Sequence, residues 1–245
     1  MKALVIIPTY NEADSILEVV NQLLSSTYNF DVLVVDDASP DGTAKIAKGV
    51  QSLRIHVIER SKKNGLGSAY RAGFTWALQR PIFTHIISMD GDGSHQVKDL
   101  AAMISLAEEG FDVVMGTRWM SGGGIQNWPL YRQLISRIGT LYAQKALSMP
   151  FKDLTGGFRL YSAAILRQLR IEAISSEGYC FQIEMMRAIN QTNAKIAQSP
   201  IVFIERTAGN SKMSRAIVHE ALRQVTIWGL QRRFTPNADK LHYVK

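Results

Sequence analysis

Short apolar runs alternate with segments of helical periodicity along the first half of the chain. The runs are rich in β-branched residues, and most are followed by proline or an acidic residue, which is typical of buried strands. They cover residues 2–7, 31–35, 54–59, 83–89 and 112–115. Apolar residues recur at helical spacing in the intervening segments 12–24, 41–50, 66–78 and 98–109. This alternation predicts an α/β fold, in which βαβ units build a mostly parallel sheet flanked by helices.

The pattern changes after Gly116. A glycine-rich loop at 121–124 precedes a long amphipathic helix, predicted over 130–147, and a loop at 155–157 follows. Helices are then predicted over 162–169, 181–190 and 213–232, a strand over 194–205, and a loose segment for the last dozen residues. Because no repeat or low-complexity linker interrupts the chain, we expect one domain over 1–245. Its two parts are a nucleotide-binding half (1–115) and a second half (116–245).

Composition narrows the function classes. The 245 residues are 46% hydrophobic and 20% charged, as expected for a globular protein. The single cysteine, Cys180, excludes a disulfide framework and a zinc site built on several thiolates, and we expect it to be a buried apolar residue. No secretory signal is visible, and no run approaches the roughly 20 apolar residues that span a bilayer. These features indicate a soluble or peripheral protein in a reducing compartment.

Charge is distributed unevenly along the chain. The net charge is +7, but residues 1–115 hold 10 basic and 14 acidic side chains, whereas residues 116–245 hold 18 and 7. The first half is therefore suited to a cation and the second to phosphates, unless the charge only keeps the surface soluble.

Polar residues follow four of the predicted strands. In an open α/β sheet, ligands bind beyond the carboxyl ends of the strands. Asp90 and Asp92 follow a buried strand directly, and two carboxylates this close repel unless a cation or hydrogen bonds hold them. A hard divalent ion with oxygen ligands fits this pair, with Ser94 or His95 nearby. The D-x-D pattern alone also occurs in helix-capping turns, so the other strand ends are needed for this interpretation.

The first two strand ends suit a nucleotide. Asp37 and Glu12 offer acceptors for ring N–H and ribose hydroxyl groups, although Asp37 is also a residue that starts turns. For Asp41 and Asn11 we favour a capping or turn role. The Gly65-x-Gly67 pair lacks the rest of a phosphate-binding fingerprint, and it indicates a tight turn with close helix packing.

At these motifs the chain resembles the family 2 glycosyltransferases with the GT-A fold and, within them, the dolichyl-phosphate (polyprenyl-phosphate) mannose synthases. The similar stretches lie in order over nearly the whole chain: VIIPTYNEADSI, VLVVDDASPDGT, NGLGSAYRAGF, ISMDGDGSHQ, VVMGTRWMSGGGIQNW, DLTGGFRLY, EGYCFQIEMM and PIVFIERTAGNSKMS. The early motifs indicate only the broad family. The later ones, from GTRWMSGGG onwards, indicate the lipid-phosphate branch, which also contains polyprenyl-phosphate glucose synthases.

The resemblance implies roles for individual positions at the strand ends. The nucleoside would be framed by Pro8, Tyr10, Glu12, Val35 and Asp37. The metal, Mg²⁺ or Mn²⁺, would be held against the diphosphate by Asp90, Asp92 and Ser94. At Gly91, where relatives often carry alanine, the backbone would approach the nucleotide. Some relatives carry glutamine in place of Ser94, so a water can intervene between this shorter hydroxyl and the metal.

Basic residues complete the implied site. Arg118 would contact phosphate, and Arg132 is a second candidate near the acceptor phosphate. Arg206 and Lys212 would close over the nucleotide or the acceptor from a loop that contains Gly209 and Asn210.

The resemblance implies an inverting, metal-dependent enzyme that moves mannose from GDP-mannose to a polyprenyl (dolichyl) monophosphate. The metal and fixed arginines would stabilise the charge on the leaving nucleoside diphosphate, and the anionic acceptor would need no general base. The alternatives are a glucose synthase that uses UDP-glucose, an enzyme that acts on a soluble hydroxyl, and a non-catalytic nucleotide-sugar-binding subunit. A nucleic-acid-binding module is disfavoured, because no such motif is visible and the acidic strand ends repel phosphate.

Two helices of the second half bear on the membrane. The segments 128–147 and 213–233 carry apolar residues in helical register with basic residues interleaved. Such helices lie in a headgroup interface, here with Trp128 and Trp228 as anchors, unless their apolar faces pack on the sheet. We expect peripheral attachment to the cytoplasmic face of a membrane, directly or through a membrane-anchored partner subunit.

Overall fold

A mostly parallel sheet flanked by helices forms the centre of the molecule. The computed structural model describes residues 1–205, 215–235 and 238–245. The strands are β1 (Ala3–Thr9), β2 (Asp31–Asp36), β3 (Ile55–Glu59), β4 (His85–Ser88), β5 (Val113–Thr117), β6 (Gly124–Gln126), β7 (Arg159–Ser162), β8 (Ile196–Pro200) and β9 (Val202–Ile204). The helices are α1 (Ile16–Leu24), α2 (Thr43–Gly49), α3 (Leu66–Leu78), α4 (Leu100–Glu108), α5 (Leu130–Leu147), α6 (Ala163–Gln168), α7 (Gly178–Ile189), α8 (Arg215–Phe234) and α9 (Ala238–Tyr243).

The main sheet has seven strands in the order β3-β2-β1-β4-β7-β5-β8. Every neighbouring pair is parallel except the two pairs that include β7. The predicted α/β class is therefore confirmed. The order reverses around β1, which lies between β2 and β4, and such a switch leaves a crevice at the carboxyl edge.

Successive residues of a strand point to opposite faces of the sheet. Both faces are buried, because helices cover each of them. In β1, Leu4 and Ile6 belong to the same core cluster as Phe74 of α3. Val5 and Ile7 belong to the opposite cluster, which contains residues of α1 and α4. Burial on both sides explains why the apolar runs lack strict alternation with polar residues.

The second half departs from the predicted elements in several places. β7 was not predicted, and it runs antiparallel between β4 and β5, beginning at the fully buried Arg159. The single strand predicted over 194–205 is divided at Ile201. β8 continues the main sheet beside β5, whereas β9 pairs with β6 in a separate two-stranded sheet.

The end of the chain is helical rather than loose, so that prediction was wrong. The Tyr243 hydroxyl donates to Glu184 Oε1 at 2.8 Å, and Arg187 Nε donates to Asp239 Oδ2 at 2.7 Å. All four side chains are buried. Because α7 supplies both partners, the short polar helix α9 is held by contacts distant in sequence, which local periodicity does not reveal.

Replacing Arg187 with alanine is expected to lower the free energy of unfolding by roughly 3–5 kcal/mol, because the buried Asp239 carboxylate loses its ion-pair partner. Urea unfolding followed by circular dichroism measures this change. Lys240→Ala, at an exposed position of α9, is the matched control and should change stability by less than about 0.5 kcal/mol. An Arg187→Ala midpoint equal to that of the wild type would show that this pair does not anchor α9.

Cys180 lies in the core, as predicted. Burial raises the pKa of its thiol to about 12, with smaller contributions from the negative charges of Glu220 and Glu184. The thiol is therefore protonated near neutral pH and behaves as a small apolar side chain.

Candidate active site

Apart from Arg132, the predicted site residues that the structure describes lie at or just after the carboxyl ends of β1, β2, β4 and β5. The Asp37 amide donates to the Thr9 carbonyl at 2.9 Å, which joins the ends of β1 and β2. The Ser15 hydroxyl donates to the Gly91 carbonyl at 2.8 Å and holds the loop after β4 against the start of α1. A Cβ at Gly91 would lie 3.0 Å from Ile7 Cγ2, so glycine allows this loop to approach β1 closely.

Buried groups hold the D-x-D loop, which carries Asp90 and Asp92, in place. The Asp90 amide donates to His95 Nδ1 at 3.1 Å, and the His95 ring stacks on Phe158 with centroids 4.7 Å apart. The Ser94 amide donates to Asp92 Oδ1 at 3.0 Å, which orients that carboxylate. Asp90 and Asp92 are partly exposed, whereas Ser94 and His95 are buried. The two carboxylates are therefore accessible to solvent, while the loop that carries them is held by buried residues.

This donor set fits a hard divalent cation that is shared with a substrate. Within the described part of the chain, no group of three or more His, Cys, Asp or Glu side chains could hold a metal on its own. Two neighbouring carboxylates suit Mg²⁺ or Mn²⁺, which complete their shells with phosphate oxygens and water. A role for the Ser94 hydroxyl as a further ligand stays a prediction, since its backbone already serves to orient Asp92.

The residues predicted to frame a nucleoside lie together at the ends of β1 and β2. Pro8 and Val35 are register partners in the two strands, and both are buried. Tyr10 and Glu12 follow β1 on the rim and are only partly buried. The Glu12 amide donates to Thr43 Oγ1 at 3.0 Å, which fixes the rim to the start of α2.

Asp37 organises the loop after β3. Its Oδ1 accepts a hydrogen bond from Arg60 at 2.7 Å, and its Oδ2 accepts from the amides of Asn64 and Gly65, both at 2.8 Å. Sequence reasoning missed Arg60, which offers no local signal beyond a basic residue after a strand. Whether Asp37 also contacts a nucleoside stays a prediction.

The turn roles assigned to three nearby positions are confirmed. Asp41 Oδ1 accepts from the Thr43 amide at 3.0 Å and supports the start of α2. A Cβ at Gly67 would lie 2.3 Å from the Ser176 carbonyl oxygen, and one at Gly65 would lie 2.6 Å from Glu177 Oε2. The two glycines therefore permit close packing of α3 against the segment before α7.

A buried ion pair fixes Arg118 at the end of β5. Its Nε and Nη2 donate to the two carboxylate oxygens of Asp153 at 2.6 and 2.8 Å, and Nη2 also donates to Thr155 Oγ1 at 3.0 Å. Burial alone would raise the pKa of Asp153, but the charge and hydrogen bonds of Arg118 outweigh it and leave that pKa below its usual value. Sequence reasoning missed Asp153, although it lies within the DLTGGFRLY motif.

Arg132 lies at the start of α5. It forms an ion pair with Glu205, and its guanidinium lies 4.1 Å from the centroid of the Trp128 ring. Arg118 lies over the same ring at 5.3 Å, so Trp128 connects the two candidate phosphate-binding residues. Arg206 and Lys212, the remaining predicted contacts, lie outside the described residues.

A largely apolar groove runs from this polar site between α5 and α8. Arg118, Trp128 and Thr155 line it, together with apolar side chains from α5, α7 and α8: Ile135, Tyr142, Ile183, Leu222 and Val225. The same groove therefore contains a fixed guanidinium and an apolar lining.

Comparison with known proteins agrees with this architecture. The family described as Glycosyl transferase family 2 matches residues 4–170. The chain belongs to this family. It is 43% identical over 236 residues to undecaprenyl-phosphate mannosyltransferase from Micrococcus luteus, covering 96% of each chain. It is 39% identical over 236 residues to polyprenol monophosphomannose synthase from Mycolicibacterium smegmatis, covering 95% of this chain and 88% of the relative.

Solved structures support the fold assignment. Glucosyl-3-phosphoglycerate synthase from Mycobacterium tuberculosis, in complex with Mn²⁺, UDP and glucosyl-3-phosphoglycerate, matches with a TM-score of 0.66 at 18% identity. The match covers 95% of this family 2 chain and 79% of the other. A crystal structure described as a mycobacterial protein matches with a TM-score of 0.67 at 17% identity, over 95% of this chain and 74% of the other. These likenesses confirm the GT-A fold.

Proposed function

We propose that this family 2 glycosyltransferase moves mannose from GDP-mannose to a polyprenyl monophosphate and yields polyprenyl phosphate mannose. The observation that carries the proposal is the position of Arg118, which directly follows β5 at the carboxyl edge of the sheet and also lines the apolar groove. A phosphate with a long hydrocarbon tail has the chemistry to occupy such a cavity. The names of the two relatives support the same lipid class and the same sugar.

The donor would bind across the carboxyl edge of the sheet. Its nucleoside lies toward Pro8, Tyr10, Glu12, Val35 and Asp37, and its diphosphate lies toward the D-x-D loop. Asp90 and Asp92 would hold Mg²⁺ or Mn²⁺, with Ser94 nearby. When bound, the metal supplies positive charge that stabilises the leaving nucleoside diphosphate. Structures of the M. tuberculosis synthase contain Mn²⁺ or Mg²⁺ together with UDP.

The protein's own groups would orient the acceptor. A phosphate oxygen of the acceptor attacks the anomeric carbon, a new carbon–oxygen bond forms, and the bond to the nucleoside diphosphate breaks. Direct displacement inverts the anomeric centre. Because the phosphate is already ionised at neutral pH, no side chain needs to remove a proton. Arg118, held by Asp153 and Thr155, offers fixed charge for the acceptor phosphate, with Arg132 as the second candidate.

Transfer of label tests this proposal. The purified protein is incubated with Mg²⁺, a polyprenyl phosphate and radiolabelled GDP-mannose or UDP-glucose, and the lipid is extracted into organic solvent. We expect label in the organic phase only from GDP-mannose and only with the phosphorylated lipid. The unphosphorylated polyprenol is the matched acceptor control. Label from UDP-glucose alone would make the protein a glucose synthase, and no transfer from either donor would leave a nucleotide-sugar-binding subunit.

Both amphipathic helices expose apolar residues. In α5, Leu134, Ile138 and Leu141 are 58%, 55% and 54% exposed. In α8, Leu222 and Leu230 are 40% and 54% exposed, whereas Val225 and Trp228 are buried in the core. The expectation that Trp228 anchors the protein in a headgroup interface was therefore wrong, because this ring packs inward. In the described part of the chain, no helix has the length and apolar character needed to cross a bilayer.

We infer that α5 provides a peripheral contact with the cytoplasmic face of a membrane, where it would bring the groove to its lipid. A membrane-anchored partner subunit that covers the same face is the alternative. The wild type should co-sediment with vesicles that contain anionic phospholipid at low salt. It should dissociate as salt is raised, because salt screens the attraction between the lipid and the basic residues of the second half over roughly 8–10 Å.

A double replacement, Leu134→Glu with Ile138→Glu, should abolish vesicle binding, because it places charge on the apolar face. Leu53→Glu, at a leucine that is 98% exposed before β3, is the matched control and should bind like the wild type. Equal binding of the double variant would assign attachment to another surface. Absence of wild-type binding at any salt, with full activity on detergent-dispersed lipid, would favour the partner subunit.

A further inference from the structure

A short basic strap joins β3 to α3 at the edge of the site. Residues 61–64, with the sequence SKKN, are exposed. Both ends of this strap are held by one carboxylate, since Asp37 accepts from Arg60 just before it and from the amides of Asn64 and Gly65 at its end. Because Asp37 is buried, the two ends of the strap are held in place, while the side chains of the strap are exposed to solvent.

The strap places Lys63 over Tyr10. The Lys63 ammonium lies 3.7 Å from the centroid of the Tyr10 ring. Such cation–π contacts at exposed sites are weak, so the ammonium can move to a stronger acceptor when one arrives. Lys62 is also exposed and carries the same charge, and among the described residues no ring contact of Lys62 is found.

The sheet order separates this region from the D-x-D loop. The strap follows β3 and is anchored at the end of β2, whereas Asp90 and Asp92 follow β4. β1, with Tyr10 just beyond its end, lies between β2 and β4. A nucleoside diphosphate whose phosphates lie at the D-x-D loop and whose nucleoside lies at Tyr10 therefore directs its base toward the strap.

We propose that Lys63 is a nucleoside-binding residue, whose ammonium donates a hydrogen bond to a ring carbonyl of the donor base beside Tyr10. This inference rests on the proposed function, in which a nucleoside diphosphate sugar is the donor. Guanine and uracil both present such a carbonyl. Adenine presents an amino group at the corresponding edge, which a lysine cannot use as an acceptor.

Calorimetric titration of GDP and ADP in the presence of Mg²⁺ tests the assignment without requiring sugar transfer. For Lys63→Ala we expect the Kd of GDP to rise roughly tenfold, while the Kd of ADP changes less than twofold. Lys62→Ala is the matched control for general charge and should change neither Kd by more than about twofold. Lys63→Arg retains a donor and should recover part of the GDP affinity.

Two results would overturn the inference alone. One is wild-type affinity of Lys63→Ala for GDP, and the other is an equal loss for GDP and ADP, which would place the lysine on a phosphate. If the wild type binds UDP but not GDP, the donor proposed above is wrong, and the same variants are compared with UDP, whose uracil carbonyl offers the same acceptor. If the wild type binds neither nucleotide, the proposed function fails and the inference fails with it.

Discussion

Replacing Asp92 with asparagine is expected to lower the turnover of sugar transfer by roughly 10²–10³-fold while leaving the fold intact. The asparagine keeps the Oδ1 acceptor that the Ser94 amide uses, so the loop retains its shape. What is lost is one of two adjacent negative charges that suit a divalent cation. Initial rates at several Mg²⁺ concentrations, with thermal unfolding alongside, measure both effects.

The control is Asp14→Asn, which removes an exposed carboxylate just before α1. It should change turnover by less than about twofold, because its charge lies outside the D-x-D loop. Raising Mg²⁺ should restore part of the activity of Asp92→Asn but none of any deficit in the control. Full wild-type activity in excess EDTA would contradict the role of a metal, whatever the variants do.

The first half of the fold could be predicted because its elements are determined locally. β1 and β2 are short runs of apolar, mostly branched residues, and α3 begins and ends where its periodicity begins and ends. In the second half, the same holds for α5. β7 escaped prediction because it is short and begins with arginine, and it is a strand only through pairing with β4 and β5. α9 was not predicted for the same reason, because contacts with buried residues of α7, which are distant in sequence, hold it in place.

The candidate site also contains residues that the sequence indicates locally and residues that only the fold brings into contact. Asp90, Asp92 and Tyr10 could be found because each follows a predicted strand, and strand ends of a parallel sheet converge. Asp153 and Arg60 act through side chains that they contact across the fold, and Asp153 is 35 positions from Arg118 in sequence. No spacing rule connects such pairs. Periodicity predicted α5 and α8 as amphipathic helices but left open whether their apolar faces are exposed or packed, because the inward packing of Trp228 depends on core residues that are distant in sequence.

The pairing of Arg118 with Asp153 leads to the second large effect. Asp153→Asn should lower turnover at least tenfold, because the guanidinium loses a charged, two-point partner and no longer has a fixed direction. Removing one member of a buried ion pair also costs roughly 3–5 kcal/mol of stability. Turnover and the KM for the lipid phosphate should therefore change together with the urea midpoint. A matched variant is needed to separate the kinetic effect from the loss of stability.

Asp31→Asn supplies that separation. Asp31 is also a buried, ion-paired aspartate, but its partner is Lys2 and it lies at the amino end of β2, on the opposite edge of the sheet. We expect it to lose stability while its kinetic constants at a temperature where it stays folded remain those of the wild type. If Asp153→Asn behaved in the same way, Asp153 would be a structural residue without a role in orienting Arg118.

The pH dependence of stability gives an independent measure of the pair. The pKa of Asp153 is lower in the folded protein than the value of about 3.9 expected in the unfolded chain. Its stabilising contribution is therefore fully present above about pH 4 and is lost as the pH falls through the folded-state pKa. The difference in unfolding free energy between the wild type and Asp153→Asn should be constant from neutral pH to about pH 5 and shrink below pH 4. A difference that instead grew on acidification would mean that the carboxyl group is protonated in the folded state, and Arg118 would then lack the anionic partner that fixes it toward the groove.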